Sequence, residues 1–173
     1  SAFRGSRANV SNAPSRRIWG MPSMKILLIA GGWSSEREVS LTGARGMQEA
    51  LLKRGHAVTF FDLLENFDEL LETARQHDFA LINLHGSPGE DGLVQAMLEK
   101  AGCPYQGSGP SGSFLALNKA AAKQIFRMAG LPTADWEFLP VRPAEGWEPR
   151  LPWPLFVKTT TGGSSLRLGR ATN

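Results

Sequence analysis

Residues 79–92 of this chain read FALINLHGSPGEDG, and this stretch indicates both a fold class and the place of a functional site. Its opening run, 79–84, is apolar except for one asparagine, which is typical of a strand buried on both faces of a parallel sheet. A glycine-rich turn follows, and a helix is predicted after it. Ligands of open α/β sheets bind at the carboxyl ends of the strands, so the polar residues of the turn, His85, Glu90 and Asp91, are candidates for chemistry.

The same turn also has a purely structural interpretation. A histidine after a strand is often held by hydrogen bonds, and Glu90 and Asp91 would stabilise the positive amino-terminal end of the next helix. The glycines, on the other hand, allow a ligand to approach the backbone closely. Both interpretations stay open on the residues alone. A metal site is disfavoured because no second histidine lies three or four residues from His85 and no cysteine accompanies it, so we assign no metal ligand in this chain.

A comparable turn ends the first predicted strand. Residues 25–30 form a run that is continuously apolar after Lys25, and a pair of glycines follows. Ser35 and Glu38 have the spacing of a capping box, which predicts that a helix begins here. Glu36 has two interpretations: it complements the positive end of this helix, or it binds a cationic group of a ligand, such as an ammonium.

Strands and helices alternate over the first part of the chain. The further predicted elements are a strand at 56–61, a short helix at 66–76, a strand at 79–84 and a helix at 93–101. This alternation predicts right-handed crossovers and a parallel sheet. We expect one α/β domain at 24–112.

The pattern changes near residue 113. The predicted elements there are a helix at 113–129, strands at 136–139 and 155–158, and an antiparallel return strand at 166–170. A segment rich in proline and tryptophan, 141–154, separates the two strands and is expected on the surface. We therefore expect a second, incomplete domain at 113–173.

The turn 159–165 reads TTTGGSS and could bind phosphate. Backbone N–H groups in such a turn can contact phosphate oxygens, and Lys158 directly before it would add positive charge. Lys119 and Lys123 lie one turn apart on the predicted long helix, where lysines usually face solvent. The turn matches neither the Walker motif nor the G-x-G-x-x-G of dinucleotide sites, and a flexible hairpin explains it equally well.

The composition excludes several classes of protein. The chain contains 19 Lys and Arg residues and 16 Asp and Glu residues. Four of the arginines lie in the first 23 residues, which contain no acidic residue. The remaining residues therefore include 15 basic and 16 acidic ones, a net charge of −1. This nearly neutral net charge does not indicate a nucleic-acid-binding surface. No apolar run is long enough for a membrane span. The single cysteine, Cys103, fits a reducing cytoplasm.

The basic segment 1–23 has no hydrophobic periodicity, and we expect it to be a disordered leader or tag. A mistaken start is the favoured origin, because Met24 precedes the first strand. A transit peptide is the weaker alternative, since the segment is rich in Arg and Ser.

Taken together and in order, these motifs resemble D-alanine–D-alanine ligase, a family of the ATP-grasp superfamily. The matching residues are Gly31-Gly32 with Ser35 to Ser40, His85-Gly86 with Gly89 to Gly92, Tyr105 with Gly107 to Gly109, Asn118-Lys119, Gly130 to Pro132, and Val157-Lys158 with Gly163 to Ser165. Each motif is modest by itself, but their order and spacing match from residue 25 to residue 165.

The resemblance implies a fold and an activity. The fold would be a parallel-sheet, Rossmann-like domain of the kind that precedes ATP-grasp domains, followed by the truncated start of an ATP-grasp domain. Members of the family join two D-alanines with ATP and Mg²⁺, through a D-alanyl phosphate, to make cell-wall peptidoglycan precursors. The metal ligands of the family would lie beyond residue 173, so we expect this chain to be inactive alone. The resemblance also suggests a cytoplasmic homodimer that uses the first domain as its interface.

The resemblance assigns roles to particular residues. Glu36 would bind the ammonium of the first D-alanine, with Ser164 in its hydrogen-bond network, and these two are the catalytic residues. His85 would lie in the substrate site. The residues that would contact the phosphates of ATP are Lys119, Lys158, Gly163, Ser164 and Ser165.

Two alternatives remain. A sister ligase would join D-alanine to D-lactate or D-serine, and the second-substrate pocket that decides between them is mostly absent from this chain. A non-catalytic α/β module that binds a small molecule or dimerises would share the fold without the reaction.

Overall fold

The computed structural model of the chain describes residues 22–162 and 169–172. The predicted leader therefore lies almost entirely outside the described residues. The chain divides into two compact units, one up to Ser113 and the other from Phe114. Among the described residues, no helix is both long enough and apolar enough to cross a membrane.

The first unit has a helix after each strand. Its elements are β1 (Lys25–Ala30), α1 (Arg37–Lys53), β2 (Ala57–Asp62), α2 (Leu63–Asn66), a 3₁₀ turn (Phe67–Glu69), α3 (Leu70–Ala74), β3 (Phe79–Ile82), α4 (Leu93–Ala101) and α5 (Pro110–Leu117), the last of which runs into the second unit. The predicted single helix at 66–76 is wrong, since this segment is split among α2, the 3₁₀ turn and α3.

The three strands form a parallel sheet in the order β2-β1-β3. In its register, Ile26 pairs with both Val58 and Phe79, so the strands end at the same edge. This sheet confirms the predicted α/β fold class. Because the strands are parallel, the loops after β1 and β3 leave the same edge of the sheet and lie beside each other.

Apolar side chains cover both faces of β1. On one face, Leu27 and Ile29 pack in a cluster that includes Leu70 and Leu98 of the flanking helices; on the other, Leu28 packs with Ala44 of α1 and other residues. Leu27, Leu28 and Ile29 have no exposed surface. Burial of each such side chain contributes about 1.5–3 kcal/mol, which explains why the uninterrupted apolar run specifies the central strand.

The outer edge of β3 is closed by a side chain. Gln106 accepts a hydrogen bond from the Ile82 N–H at 2.9 Å and donates to the Ile82 carbonyl at 2.6 Å. Next to it, Tyr105 forms an isolated parallel bridge with Ala80. The amide of Gln106 thus replaces a neighbouring strand and satisfies backbone groups that an open edge would expose.

The second unit contains the remaining elements. These are α6 (Lys119–Met128), β4 (Leu155–Val157) and β5 (Gly169–Ala171). β4 and β5 pair antiparallel, with Phe156 opposite Arg170, which agrees with the predicted return of the chain as far as it is described.

Two predictions for this part of the chain are wrong. The helix predicted at 113–129 is divided at Asn118, whose backbone is extended and whose side chain accepts from the Ala121 N–H at 3.1 Å. Asparagine is a favoured N-cap, so it ends one helix and starts the next. No strand forms at 136–139, and none of the described strands pairs with this segment. A side-chain contact connects it to residue 151 instead: Glu137 accepts a hydrogen bond from the Leu151 N–H at 2.8 Å.

Cys103 belongs to the core of the first unit, and burial raises the pKa of its thiol. We expect alkylation by iodoacetamide to be about 100-fold slower in the folded chain than in urea, because reaction requires local opening.

The unfolded Cys103 thiol ionises near pH 8.5 and the buried thiol only at higher pH, so the stability that it contributes is complete below about pH 8.5 and is lost above it. Unfolding curves of Cys103→Ala should lack that alkaline loss; equal loss in both proteins would contradict this account.

Candidate functional site

The loops after β1 and β3 are in contact at the carboxyl edge of the sheet. A Cβ built on Gly86 would lie 3.5 Å from the Cβ of Ser34, and one on Gly32 would lie 3.3 Å from the Leu84 side chain. The structure therefore brings together the two loops that carry Glu36 and His85. Both residues are half-buried.

The first loop depends on a glycine pair. Gly31 and Gly32 both have φ of +78°, a region that favours glycine. A side chain at Gly31 would also overlap the guanidinium of Arg37 and the carboxylate of Asp62. The loop can turn this tightly because neither residue has a Cβ.

The capping box predicted for α1 does not form. The N-cap residue is Glu36 and not Ser35, and no side chain caps the helix. The hydroxyl of Ser34 instead accepts from the Glu36 N–H at 3.2 Å. The first turn of α1 is held by contacts with the sheet, so the local capping signal was overridden by tertiary structure.

Arg37 joins this turn to the second strand. Its guanidinium makes two hydrogen bonds with the carboxylate of Asp62, at 2.7 and 2.6 Å, and its Nη1 donates to the Gly32 carbonyl at 3.4 Å. The hydrogen bond to Asp62 is the main cause that raises the pKa of Arg37, so the guanidinium stays charged. Asp62 also accepts from the Leu64 N–H at 3.2 Å and caps α2. Sequence reasoning missed this pair, although an acid at the carboxyl end of a predicted strand was a visible signal.

Ser40 and Asn83 join the same turn to the third strand. The Ser40 hydroxyl accepts from the Gly31 N–H at 2.8 Å and donates to the carbonyl of Asn83. Asn83 in return donates from Nδ2 to the Ser40 carbonyl at 2.7 Å. This pair was also missed; the one polar residue in the apolar run 79–84 was the signal for it.

The acidic residues of the second loop have different environments. Asp91 accepts hydrogen bonds from the Leu93 N–H at 3.0 Å and from the hydroxyl of Ser87, so it organises the loop and the start of α4. Glu90 is exposed. Gln95 donates to the Gly89 carbonyl at 2.6 Å from a buried position. The structural interpretation therefore explains Asp91, and His85 remains the candidate ligand group of this loop.

In the second unit, Lys119 is fixed against the predicted phosphate turn. Its backbone N–H donates to the Thr160 carbonyl at 2.8 Å, and its ammonium donates to the Gly162 carbonyl at 2.6 Å. Lys158 is exposed beside the same turn. Gly163, Ser164 and Ser165 lie outside the described residues. The part of the turn that the structure describes thus has one lysine bound to it and another adjacent in sequence.

A cavity of about 570 Å³ opens elsewhere in the second unit. Arg127, Trp136 and Arg150 are among its lining residues, and it contains none of the predicted site residues. The described residues also form no group of three or more His, Cys, Asp or Glu side chains that could hold a metal ion. The candidate site is therefore the paired loops of the first unit, with the lysine-flanked turn as a separate candidate for phosphate.

Comparison with known proteins agrees with the resemblance seen in the sequence. The D-alanine–D-alanine ligase of Desulfovibrio desulfuricans is 77% identical over 150 residues, which are 87% of this chain and 49% of that protein. The corresponding ligase of Nitratidesulfovibrio vulgaris is 69% identical over 149 residues, 86% of this chain and 49% of that protein. No protein-family model matches the chain.

Solved structures are similar as well. The D-alanine–D-alanine ligase of Bacillus anthracis complexed with ATP superimposes with a TM-score of 0.75 at 36% identity, over 87% of this chain and 51% of that one. The chain spans about half the length of the curated relatives it matches.

Proposed function

We propose that this chain, a member of the D-alanine–D-alanine ligase family, is the part of such a ligase that binds the first D-alanine and the phosphates of ATP. The observation that carries the proposal is the contact between the loops of Glu36 and His85 at the carboxyl edge of the parallel sheet. High identity to ligases over 150 residues supports it. Because the chain spans half of those relatives, activity is proposed for the complete ligase.

The proposed reaction makes one peptide bond at the expense of ATP. The carboxylate of the first D-alanine attacks the terminal phosphorus of ATP, giving a D-alanyl phosphate and ADP. The amine of the second D-alanine then attacks the acyl carbon, phosphate leaves with the electrons of the broken C–O bond, and the nitrogen releases a proton to solvent. Such a reaction depends on positioning and on neutralising charge.

Glu36 and His85 would orient the first substrate. A carboxylate near the ammonium of D-alanine makes a charge-assisted hydrogen bond, and this fixes the direction in which the substrate carboxylate points. His85 would complete the substrate site with a polar ring beside Gly86. Ser164 would take part in the hydrogen-bond network of Glu36, as the resemblance implies.

The lysine-flanked turn would bind the phosphates. Lys119 is held in place by two backbone carbonyls of the turn, so its charge is pre-positioned. Lys158, Gly163, Ser164 and Ser165 would complete this site with charge and with N–H or O–H donors. A cationic, glycine-rich turn suits a polyphosphate chemically.

Mg²⁺ does not fit the described residues, which offer no cluster of carboxylates or histidines for it. A magnesium ion would supply charge neutralisation at the phosphates, and its ligands would have to come from the other half of the ligase. We propose in addition that the complete protein is cytoplasmic and forms a homodimer that uses the first unit.

The test uses a joined ligase: this chain fused to the part of the D. desulfuricans ligase that its matched 150 residues leave out. With ATP, Mg²⁺ and D-alanine, we expect mass spectrometry to detect D-alanyl-D-alanine from the joined ligase and none from the 173-residue chain. Reactions with D-lactate or D-serine added test the sister activities. A folded joined ligase that forms no product with any of these substrates would refute the proposal.

A further inference from the structure

Side chains in the first turn of α1 form hydrogen bonds at the carboxyl ends of all three strands of the first unit. Arg37 binds Asp62 at the end of β2, through two hydrogen bonds. Ser40 binds Gly31 directly after β1 and also the backbone of Asn83 directly after β3. A single turn of helix therefore fixes how the carboxyl ends of the strands, and the loops after them, are placed relative to one another.

The Ser40–Asn83 part of this arrangement is reciprocal and buried. Ser40 has no exposed surface, and its hydroxyl is used both as donor and as acceptor. Asn83 donates to the Ser40 carbonyl and accepts through its own carbonyl, while its N–H donates to Ile29 in β1 at 2.8 Å. Gly43 leaves room for the amide, since a Cβ there would lie 3.1 Å from Asn83 Nδ2. The lack of a side chain at Gly43 therefore favours this arrangement of the pair.

Each partner is close in sequence to one candidate substrate residue. The Ser40 N–H donates to the Glu36 carbonyl at 3.1 Å, so Glu36 lies one helical turn before Ser40. His85 lies two residues after Asn83. A shift of either partner would therefore be transmitted to Glu36 or His85 through very few bonds.

We infer that Ser40 and Asn83 are positioning residues, which set the separation of Glu36 and His85 and thereby the fit of the first D-alanine. The inference rests on the proposed function. A substrate as small as D-alanine offers few contacts, and its binding groups must be held within about 0.5 Å of the productive geometry. The pair meets this requirement without touching the substrate itself.

The first experiment measures the arrangement in the 173-residue chain by amide hydrogen exchange. Ser40→Ala removes the acceptor of the Gly31 N–H, and we expect that amide to exchange about 10-fold faster or more. The control is His77→Phe, which removes the 2.7 Å hydrogen bonds between the His77 ring and both the Thr73 carbonyl and the Thr59 hydroxyl, away from the carboxyl edge of the sheet. This variant should leave the exchange of Gly31 unchanged. Equal exchange of Gly31 in all three proteins would overturn the inference.

The second experiment measures kinetics in the joined ligase. For Asn83→Ala, we expect the KM for the first D-alanine to rise about 10-fold while the KM for ATP stays the same. The His77→Phe control tests whether lost stability alone is the cause, and it should change neither constant. An active parent enzyme with an unchanged KM in Asn83→Ala would overturn this inference alone. A parent without ligase activity would instead refute the proposed function, and with it the role of the pair in substrate binding.

Discussion

Replacement of Glu36 by glutamine is expected to lower the ligation rate of the joined ligase about 100-fold, with folding intact. Glutamine keeps the shape and most hydrogen-bonding capacity of the side chain but removes its negative charge. The substrate ammonium would lose its charge-assisted partner, and the substrate carboxylate would no longer be directed toward ATP. Phosphate release, measured with D-alanine and ATP at saturation, gives the rate.

The matched control is Glu38→Gln on the same helical turn. Glu38 is exposed and lies in the first turn of α1, so it shares with Glu36 any favourable interaction with the positive helix end. We expect Glu38→Gln to leave the rate unchanged. If both variants lose activity equally, or if neither does, Glu36 acts only on the helix and its assignment as a substrate residue is wrong.

Gly92→Ala is expected to lower the free energy of unfolding of the first unit by about 3 kcal/mol. Gly92 has a φ of +93°, and a Cβ there would lie 3.0 Å from the backbone carbonyl carbon of Pro110 and closer still to its oxygen. Backbone atoms cannot rotate away as a side chain can. Chemical denaturation followed by circular dichroism measures the loss.

The opposite end of the same helix supplies the control. Gly102 ends α4 with a φ of +73°, but no described atom lies within 4 Å of its Cβ position. Gly102→Ala therefore isolates the cost of the backbone conformation, about 1 kcal/mol. Equal losses for the two variants would show that the contact with Pro110 contributes nothing.

The fold of the first unit could be predicted from the sequence because its signals are local. The apolar runs that became β1 and β3 have the length and uniformity of strands covered on both faces, and such strands are typical of a parallel sheet. Their shared edge then followed from topology alone. This reasoning needs only the order of the elements, so errors in their exact ends did not affect it.

The details of the site could not be predicted in the same way. The contacts of Arg37 with Asp62 and of Ser40 with Asn83 join residues 25 and 43 positions apart, and no local pattern reports them. These contacts replaced the expected capping box of Ser35 and Glu38. The break at Asn118, in contrast, could have been predicted from the sequence, since asparagine directly before a helical run is an N-cap signal.

The most direct test of the central claim is a crystal structure of the joined ligase with D-alanine and a non-hydrolysable ATP analogue. We predict that the ammonium nitrogen of one D-alanine lies about 2.7–3.2 Å from a carboxylate oxygen of Glu36. A D-alanine bound at full occupancy with its ammonium beyond about 6 Å from Glu36 would contradict the account, because no direct or charge-driven contact would then connect them.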